Sequence, residues 1–239
     1  MRQDVYKRHI KNEKNHWWFT ARREIIYYLI SNLKQKNPIS ILDFGAGSGT
    51  NVEILTKLGN VDIFETNQKM KSFLKSKFQK YNNVKIINKV QKKYNLIVAA
   101  DVIEHIKDDK KVIKKFHNFL KINGHLLVTV PAFNFLFSNK DVALKHFRRY
   151  EKLNLENLLN KKFQIKKLSY FNFFLFIPLA LSIFILKFKK KKFIKFAETT
   201  PFCLLNLILK NIFSIEKYFL KFFNFPFGIS IIALAKKNV

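Results

Sequence analysis

Apolar residues along this chain follow two patterns. Short, nearly unbroken apolar runs alternate with longer stretches in which apolar positions recur every three or four residues. The runs at 39–44, 61–65, 84–87, 95–100, 125–130 and 163–168 predict buried strands, and a seventh at 228–235 is closed by Lys236 and Lys237. Helical spacing predicts helices over 50–58, 68–81, 104–120 and 151–162. The third places Ile106, Val112, Ile113, Phe116 and Leu120 on one face and stops at Asn123-Gly124. Strands alternating with helices predict an α/β fold with a parallel sheet covered on both faces. Residues 1–37 read as a helical N-terminal arm, ended by Asn37-Pro38.

Residues 171–226 break the alternation and read as an insertion between the sixth and seventh strands. A run of 19 uncharged residues, 168–186, is long enough for a helix of roughly 28 Å, near the hydrocarbon thickness of a bilayer. Topology argues against a simple span, because strands on either side belong to one sheet. Pro178 interrupts the run, and its first residues finish the sixth strand. The basic link 187–195 follows. Next is an amphipathic helix with Asn206, Lys210, Lys217 and Lys221 on one face and Leu205, Ile208, Ile212, Phe213 and Phe219 elsewhere. Cationic and apolar faces together suit the plane of an anionic membrane. The alternatives are a soluble helical cap over a substrate pocket and a dimer face.

Charge sharpens the picture. In 239 residues, 45 Lys and Arg against 16 Asp and Glu leave a formal charge of +29. This invites nucleic acid or an anionic membrane, or reflects a lysine-rich composition with solvated surfaces. Arginine stands only at positions 2, 8, 22, 23, 148 and 149, so the two Arg-Arg pairs single themselves out. Acidic residues are scarce, which draws attention to Asp43, Glu65, Asp101 and Glu104. One cysteine, Cys203, excludes a disulfide scaffold. The charged first 15 residues carry no secretory signal pattern, so the expected location is cytoplasmic, peripheral or monotopic at the inner membrane face. No metal-ligand spacing is visible, since the histidines are scattered.

The strand at 39–44 runs into Gly45-Ala46-Gly47-Ser48-Gly49-Thr50. The dinucleotide fingerprint would want its third glycine at position 50, which is Thr50. The second strand ends in Glu65, where a carboxylate can accept both hydrogen bonds of a ribose diol. The spacing Asp43-x-Gly45-x-Gly47-x-Gly49 resembles the first motif of the class I S-adenosylmethionine (SAM) methyltransferases. Residues 95–106, 123–131 and 228–235 resemble that family's fourth, fifth and terminal antiparallel strands. His16-Trp17-Trp18-Phe19 with Arg22-Arg23, and His146-Phe147-Arg148-Arg149-Tyr150, resemble its type 11- and 12-like subgroup, associated with cell-surface glycan and lipid pathways.

The resemblance implies a three-layer Rossmann-like sandwich with a seven-stranded, mostly parallel sheet and an antiparallel last strand. The SAM-binding domain would comprise 38–170 and 227–239. It implies SAM as cofactor, with Gly45, Ala46, Gly47 and Gly49 forming the loop under the methionine part. Asp43 would orient that loop, Glu65 would bind ribose and Asp101 would lie near the amino acid moiety. Trp17, Trp18 and Phe19 would form a lid over the cofactor, or one tryptophan would pack in the core and the other only partly; Arg22 or Arg23 would reach the cofactor carboxylate, with Arg23 the first candidate. The stretch 88–93 departs from the family by lacking an acidic residue near adenine, which leaves Asn88 or backbone groups. His146 is the first candidate base and His105 the second, with structural histidines as the alternative. Arg148 and Arg149, with Tyr150, would bind the acceptor, or the arginines would anchor the loop to Asp141 or Glu151.

The leading expectation is methyl transfer to a lipid-linked, glycan or other small-molecule acceptor near an anionic membrane. RNA or protein methylation is the alternative; the chain has no RNA-binding module and no stripe of basic and stacking residues. A non-catalytic membrane-associated protein with the same fold is the alternative from another class. Acceptor, methylated atom and oligomeric state are open.

Overall fold

Six runs pair side by side and the seventh is inserted between two of them. The strands are β1 (Ile39–Phe44), β2 (Gly59–Phe64), β3 (Val84–Ile87), β4 (Tyr94–Ala100), β5 (Leu120–Pro131), β6 (Phe163–Phe171) and β7 (Ser230–Lys237). They form one sheet in the order β3-β2-β1-β4-β5-β7-β6 in a computed structural model that describes residues 10, 12–33, 38–188 and 200–238. β1 pairs parallel with both β2 and β4, and β7 is antiparallel to β5 and β6. This is the Rossmann-like sandwich expected. The strand order reverses between β1 and β4, so the crevice beyond their carboxyl ends is where this topology places a ligand.

The strand interiors explain the pairing. Ile41, Leu42, Leu96, Ile97, Val98, Leu126, Leu127 and Val128 are fully buried, as expected for strands covered on both faces. The flanking helices are α1 (Trp17–Ser31), α2 (Val52–Leu55), α3 (Gln68–Phe78), α4 (Asp109–Phe119), α5 (Asn139–Leu144) and α6 (Lys152–Asn160). Several are shorter than the periodicity predicts. The third predicted helix begins at Asp109 rather than 104, because the Asp108 carboxylate accepts the Lys111 N–H and caps it there. His105 therefore ends a single 3-10 turn, Ile103–His105, instead of opening a long helix. The irregular stretch after β5 contains α5, which starts in a capping box made by Ser138 and Asp141.

The insertion contributes α7 (Phe176–Phe188), α8 (Cys203–Ser214) and α9 (Glu216–Phe222). Pro178 does not interrupt α7, since it sits in the first turn, where a missing N–H costs nothing. The Glu216 carboxylate fastens the turn before α7 by accepting the backbone N–H groups of Asn172, Phe173 and Phe174 at 2.7, 2.7 and 3.1 Å. The single amphipathic helix expected beyond residue 200 is two helices, broken at Ile215. Most of its polar stripe packs onto α1. Asn206 accepts the Trp17 N–H and donates to the Asn15 carbonyl, while Lys210 and Lys217 pair with Glu24 of α1. With that stripe turned onto α1, apolar side chains point outward: Leu204, Leu207 and Ile208 of α8, and Phe222 of α9, which is 78% exposed. Ile177, Leu181 and Ile185 form a second exposed apolar stripe on α7. Among the described residues no helix is long and apolar enough to cross a membrane. Residues 1–9, 11 and 34–37 of the predicted arm, and 189–195 of the predicted basic link, lie outside the described residues.

Candidate active site

The crevice at the carboxyl ends of β1 and β4 opens into a cavity of about 810 Å³. One wall is the loop after β1. Gly45 and Gly47 have φ of +73° and +58°, a conformation L side chains rarely adopt. A Cβ on Gly45 would stand 2.8 Å from a Val102 methyl, whereas one on Gly47 would project into open space. The Glu65 carboxylate braces the loop from the end of β2: Oε2 accepts the Gly47 N–H at 2.9 Å, and Oε1 accepts those of Thr66 and Asn67 at 2.7 and 2.8 Å.

Beneath the loop, Asp43 is buried and its Oδ2 has no protein partner. Burial, with Glu65 nearby, pushes its carboxyl up to about 7. A folded-state value above the unfolded one means that the folded chain holds this proton more tightly. Asp43 therefore contributes stability that is present below pH 4 and lost as pH rises toward 7. Asp43→Asn is expected to flatten the fall in Tm between pH 5 and pH 8 relative to wild type. Identical slopes in thermal melts of the cofactor-free proteins would refute this role.

At the end of β4, Asp101 has φ of 56°. It accepts a hydrogen bond from the buried Thr129 hydroxyl at 2.8 Å and pairs with Arg22, which reaches in from α1. Burial lowers the Arg22 guanidinium to about 10, still charged at neutral pH. Trp17 and Trp18, on the first turn of α1, line the cavity and pack against Phe213 of α8. His16 caps that helix by accepting the Trp18 N–H, and burial lowers its imidazole to about 4.

A third wall comes from the 3-10 turn after β4 and the loop after α5. The Phe147 N–H donates to the Glu104 carbonyl at 2.8 Å, which seats His146 beside His105 with ring centroids 4.5 Å apart. Glu104 is fully buried, and neither carboxylate oxygen has a protein partner. Burial pushes it up to about 8 despite Arg22 and Arg149. Burial and His146 lower His105 to about 4. His146 Nδ1 bonds Asp141 Oδ1 at 2.9 Å. The last wall is α7, through Leu179, Ser182 and Ile183.

The comparisons with known proteins agree with this geometry. Residues 15–169, well over half of the chain, match the family described as Methyltransferase domain. The chain belongs to that family. It is a SAM-dependent methyltransferase, with SAM as its cofactor. No curated protein matches the methyltransferase in sequence. Solved structures share its fold at low identity. The N-methyltransferase NodS from Bradyrhizobium japonicum WM9, bound to S-adenosyl-L-homocysteine, aligns with TM-score 0.59 and 10% identity, covering 98% of this chain and 97% of that one. The plantazolicin methyltransferase BpumL, also bound to S-adenosylhomocysteine, aligns with TM-score 0.59 and 14% identity, covering 99% and 90%. The [4+2]-cyclase SpnF aligns with TM-score 0.59 and 12% identity, covering 90% and 81%.

Of the residues singled out in the methyltransferase sequence, Asp43, Gly45, Ala46, Gly47, Glu65, Asp101, Trp17, His105, His146 and Arg149 line one cavity. Others do not. Gly49 turns toward Leu74 and Phe78 of α3. Arg23 points away and donates to the Glu13 and Lys14 carbonyls, so its neighbour Arg22 is the arginine in the site. Arg148 and Tyr150 both bond Asp109, outside the cavity. Arg149 borders the cavity, but its guanidinium is held by Asp141 and the Ala132 carbonyl, which is the anchoring role. Asn88 bonds Lys71, away from the site. Glu13 and Ser182 line the cavity with no motif to announce them, and His16 lines it as the first residue of the aromatic motif.

Asp141 organises the whole loop, accepting from His146, Arg149, and the Ser138 N–H and hydroxyl. Burial opposes its ionisation, but these bonds outweigh burial and hold its carboxyl well below the usual range. Its contribution is therefore present above pH 4 and lost as pH falls further. Asp141→Ala leaves the Arg149 charge buried and unpaired, which costs about 3–5 kcal/mol. Urea unfolding at pH 7 checks this; a loss under about 1 kcal/mol would remove Asp141 from that role.

Proposed function

We propose that the methyltransferase modifies an acceptor with a sizeable apolar part, taken up at an anionic membrane surface. The carrying observation is the position of α7. Leu179, Ser182 and Ile183 line the cavity, while Ile177, Leu181 and Ile185 on the same helix are exposed. One helix thus separates the reaction space from an apolar outer surface, and α8 and α9 expose further apolar side chains. Exposed apolar side chains clustered along a helix in this way call for a partner. A formal charge of +29, with the lysine-rich run 187–195 between two apolar helices, favours anionic lipid.

SAM is assigned to the wall made by Gly45, Ala46 and Gly47, with Glu65 on the ribose and Asp43 supporting the loop. Arg22 and Asp101 lie where the amino acid end would rest. The acceptor's polar end then meets Glu104, His105 and His146. In the transfer, an acceptor lone pair forms a bond to the methyl carbon while the carbon–sulfur bond breaks. The sulfur keeps that electron pair and leaves as a neutral thioether. Positioning supplies much of the rate. His146 can take the acceptor's proton: Asp141 is an acceptor on Nδ1, so Nδ1 carries hydrogen and Nε2 presents a lone pair.

The test combines methyl-labelled SAM with a lysate of the host, followed by partition between organic and aqueous phases. Label in the organic phase supports an apolar acceptor. Label confined to the aqueous phase, and sensitive to nuclease or protease, replaces this reading with RNA or protein methylation.

A further inference from the structure

We propose that Glu104, His105 and His146 form a binding site for one divalent transition-metal ion, with its open position turned toward the acceptor. The proposal rests on the cavity's assignment as a methyltransferase site only for the ion's purpose, not for its binding.

One ligand atom from each of the three residues lies within 4.8 Å of the other two. Tetrahedral bonds of about 2.0–2.2 Å put the ligand atoms of one ion roughly 3.3–3.6 Å apart, so side-chain closure of about 1 Å completes the set. The bond at His146 sets which of its nitrogens is presented. Asp141 takes the hydrogen of His146 Nδ1, leaving Nε2 as a bare lone pair. This carboxylate–imidazole pairing is the usual outer support of a metal-bound histidine. The His105 ring stands edge to face with that of His146, centroids 4.5 Å apart, so both imidazoles border the same point.

Glu104 supplies the second, independent observation. It is fully buried, borders the cavity, and both of its oxygens are without a hydrogen bond in the protein. Arg22 and Arg149 bond Asp101 and Asp141, and neither donates a hydrogen bond to Glu104. Two imidazoles beside a buried carboxyl group whose oxygens have no protein partner make a site that a cation can complete. Two nitrogens and one carboxylate suit zinc, manganese or iron(II) better than calcium or magnesium, which prefer all-oxygen shells. Three protein ligands leave room for an acceptor hydroxyl, whose oxygen anion the ion would stabilise while the proton leaves to water. In that state the His146 lone pair is a ligand, so it cannot also be the base.

The experiment uses untagged full-length protein, stripped with chelator and dialysed against zinc or manganese alone, with bound metal measured directly. The expected result is about one equivalent per chain, with Glu104→Gln and His105→Gln each weakening binding at least about 100-fold and His117→Gln leaving it unchanged. Circular dichroism reports whether each variant is folded. Cobalt(II) bound to the unmutated protein should show visible bands of a nitrogen-ligated, low-coordinate ion, which needs no variant. Metal below stoichiometry at millimolar concentration, binding indifferent to both substitutions, or a cobalt spectrum of the hydrated ion would each overturn the site and leave His146 as the base. SAM titration of the stripped protein reports separately on the methyltransferase reading.

Discussion

Glu65→Gln is expected to weaken SAM binding by roughly 100-fold, measured by calorimetry on folded protein. The carboxylate accepts three backbone N–H groups, which fixes its orientation before any ligand arrives. Oε2 carries only the bond from Gly47 and is the oxygen left for a ribose hydroxyl. Glutamine keeps the size but removes the charge and turns one acceptor into a donor. That donor then faces either the Gly47 N–H or the neighbouring pair on Thr66 and Asn67. A bond to a charged group contributes about 1.5–3 kcal/mol, and a donor set against a donor adds to the loss. About 2.7 kcal/mol corresponds to the 100-fold stated. The effect should fall on SAM and S-adenosylhomocysteine alike, since both carry the ribose. A dissociation constant within about threefold of wild type would show that ribose is held elsewhere.

Replacing Ile177, Leu181 and Ile185 together with glutamine should abolish most binding to anionic vesicles. These three stand 65%, 58% and 50% exposed in one stripe, so they leave the protein core nearly untouched. Each apolar side chain moved from water into a bilayer interface contributes up to about 1.5–3 kcal/mol. Partial burial of three still predicts a loss of at least about 3 kcal/mol, a factor on the order of 100. Cosedimentation with vesicles of phosphatidylglycerol and phosphatidylcholine measures it. The wild type should also release at high salt only in part, because screening weakens the lysine contribution and not the apolar one. Equal sedimentation of triple variant and wild type would exclude α7 as the contact. Full release by salt would reduce the interaction to charge alone. A wild-type protein that ignores vesicles and sediments as a dimer at micromolar concentration would assign the apolar face to a second copy.

The sheet and the cofactor loop were legible because their signals are local. A buried strand is a short apolar run, and β1, β3 and β4 lie within a residue of where those runs predict them. The loop at 45–49 needs backbone angles that glycine adopts readily, so its residues announce its shape. Glu65 is at the end of the second strand, a place that counting along the chain can find. Helix boundaries were less legible. Asp108 captures the start of α4 with a side-chain cap, and apolar periodicity carries no trace of it.

The sequence by itself determined the fold class, the family and the carboxylates and glycines that line one wall of the cavity, because each depends on residues close together in the chain. Tertiary structure alone decided the rest. Arg22 and Arg23 are adjacent and chemically identical, and only the packing of α1 turns Arg22 to Asp101 and Arg23 to the Glu13 carbonyl. Lys210 and Lys217 of α8 and α9 look outward-facing on a helical wheel, yet Glu24 of α1 holds them against that helix and leaves Leu204, Leu207 and Ile208 exposed. His146 comes beside Glu104 and His105 across 41 positions, through one backbone bond from Phe147 and one carboxylate at Asp141. Periodicity tells which face of an element is apolar. It does not tell which neighbour that face will meet, and the chemistry of this site depends on the neighbour.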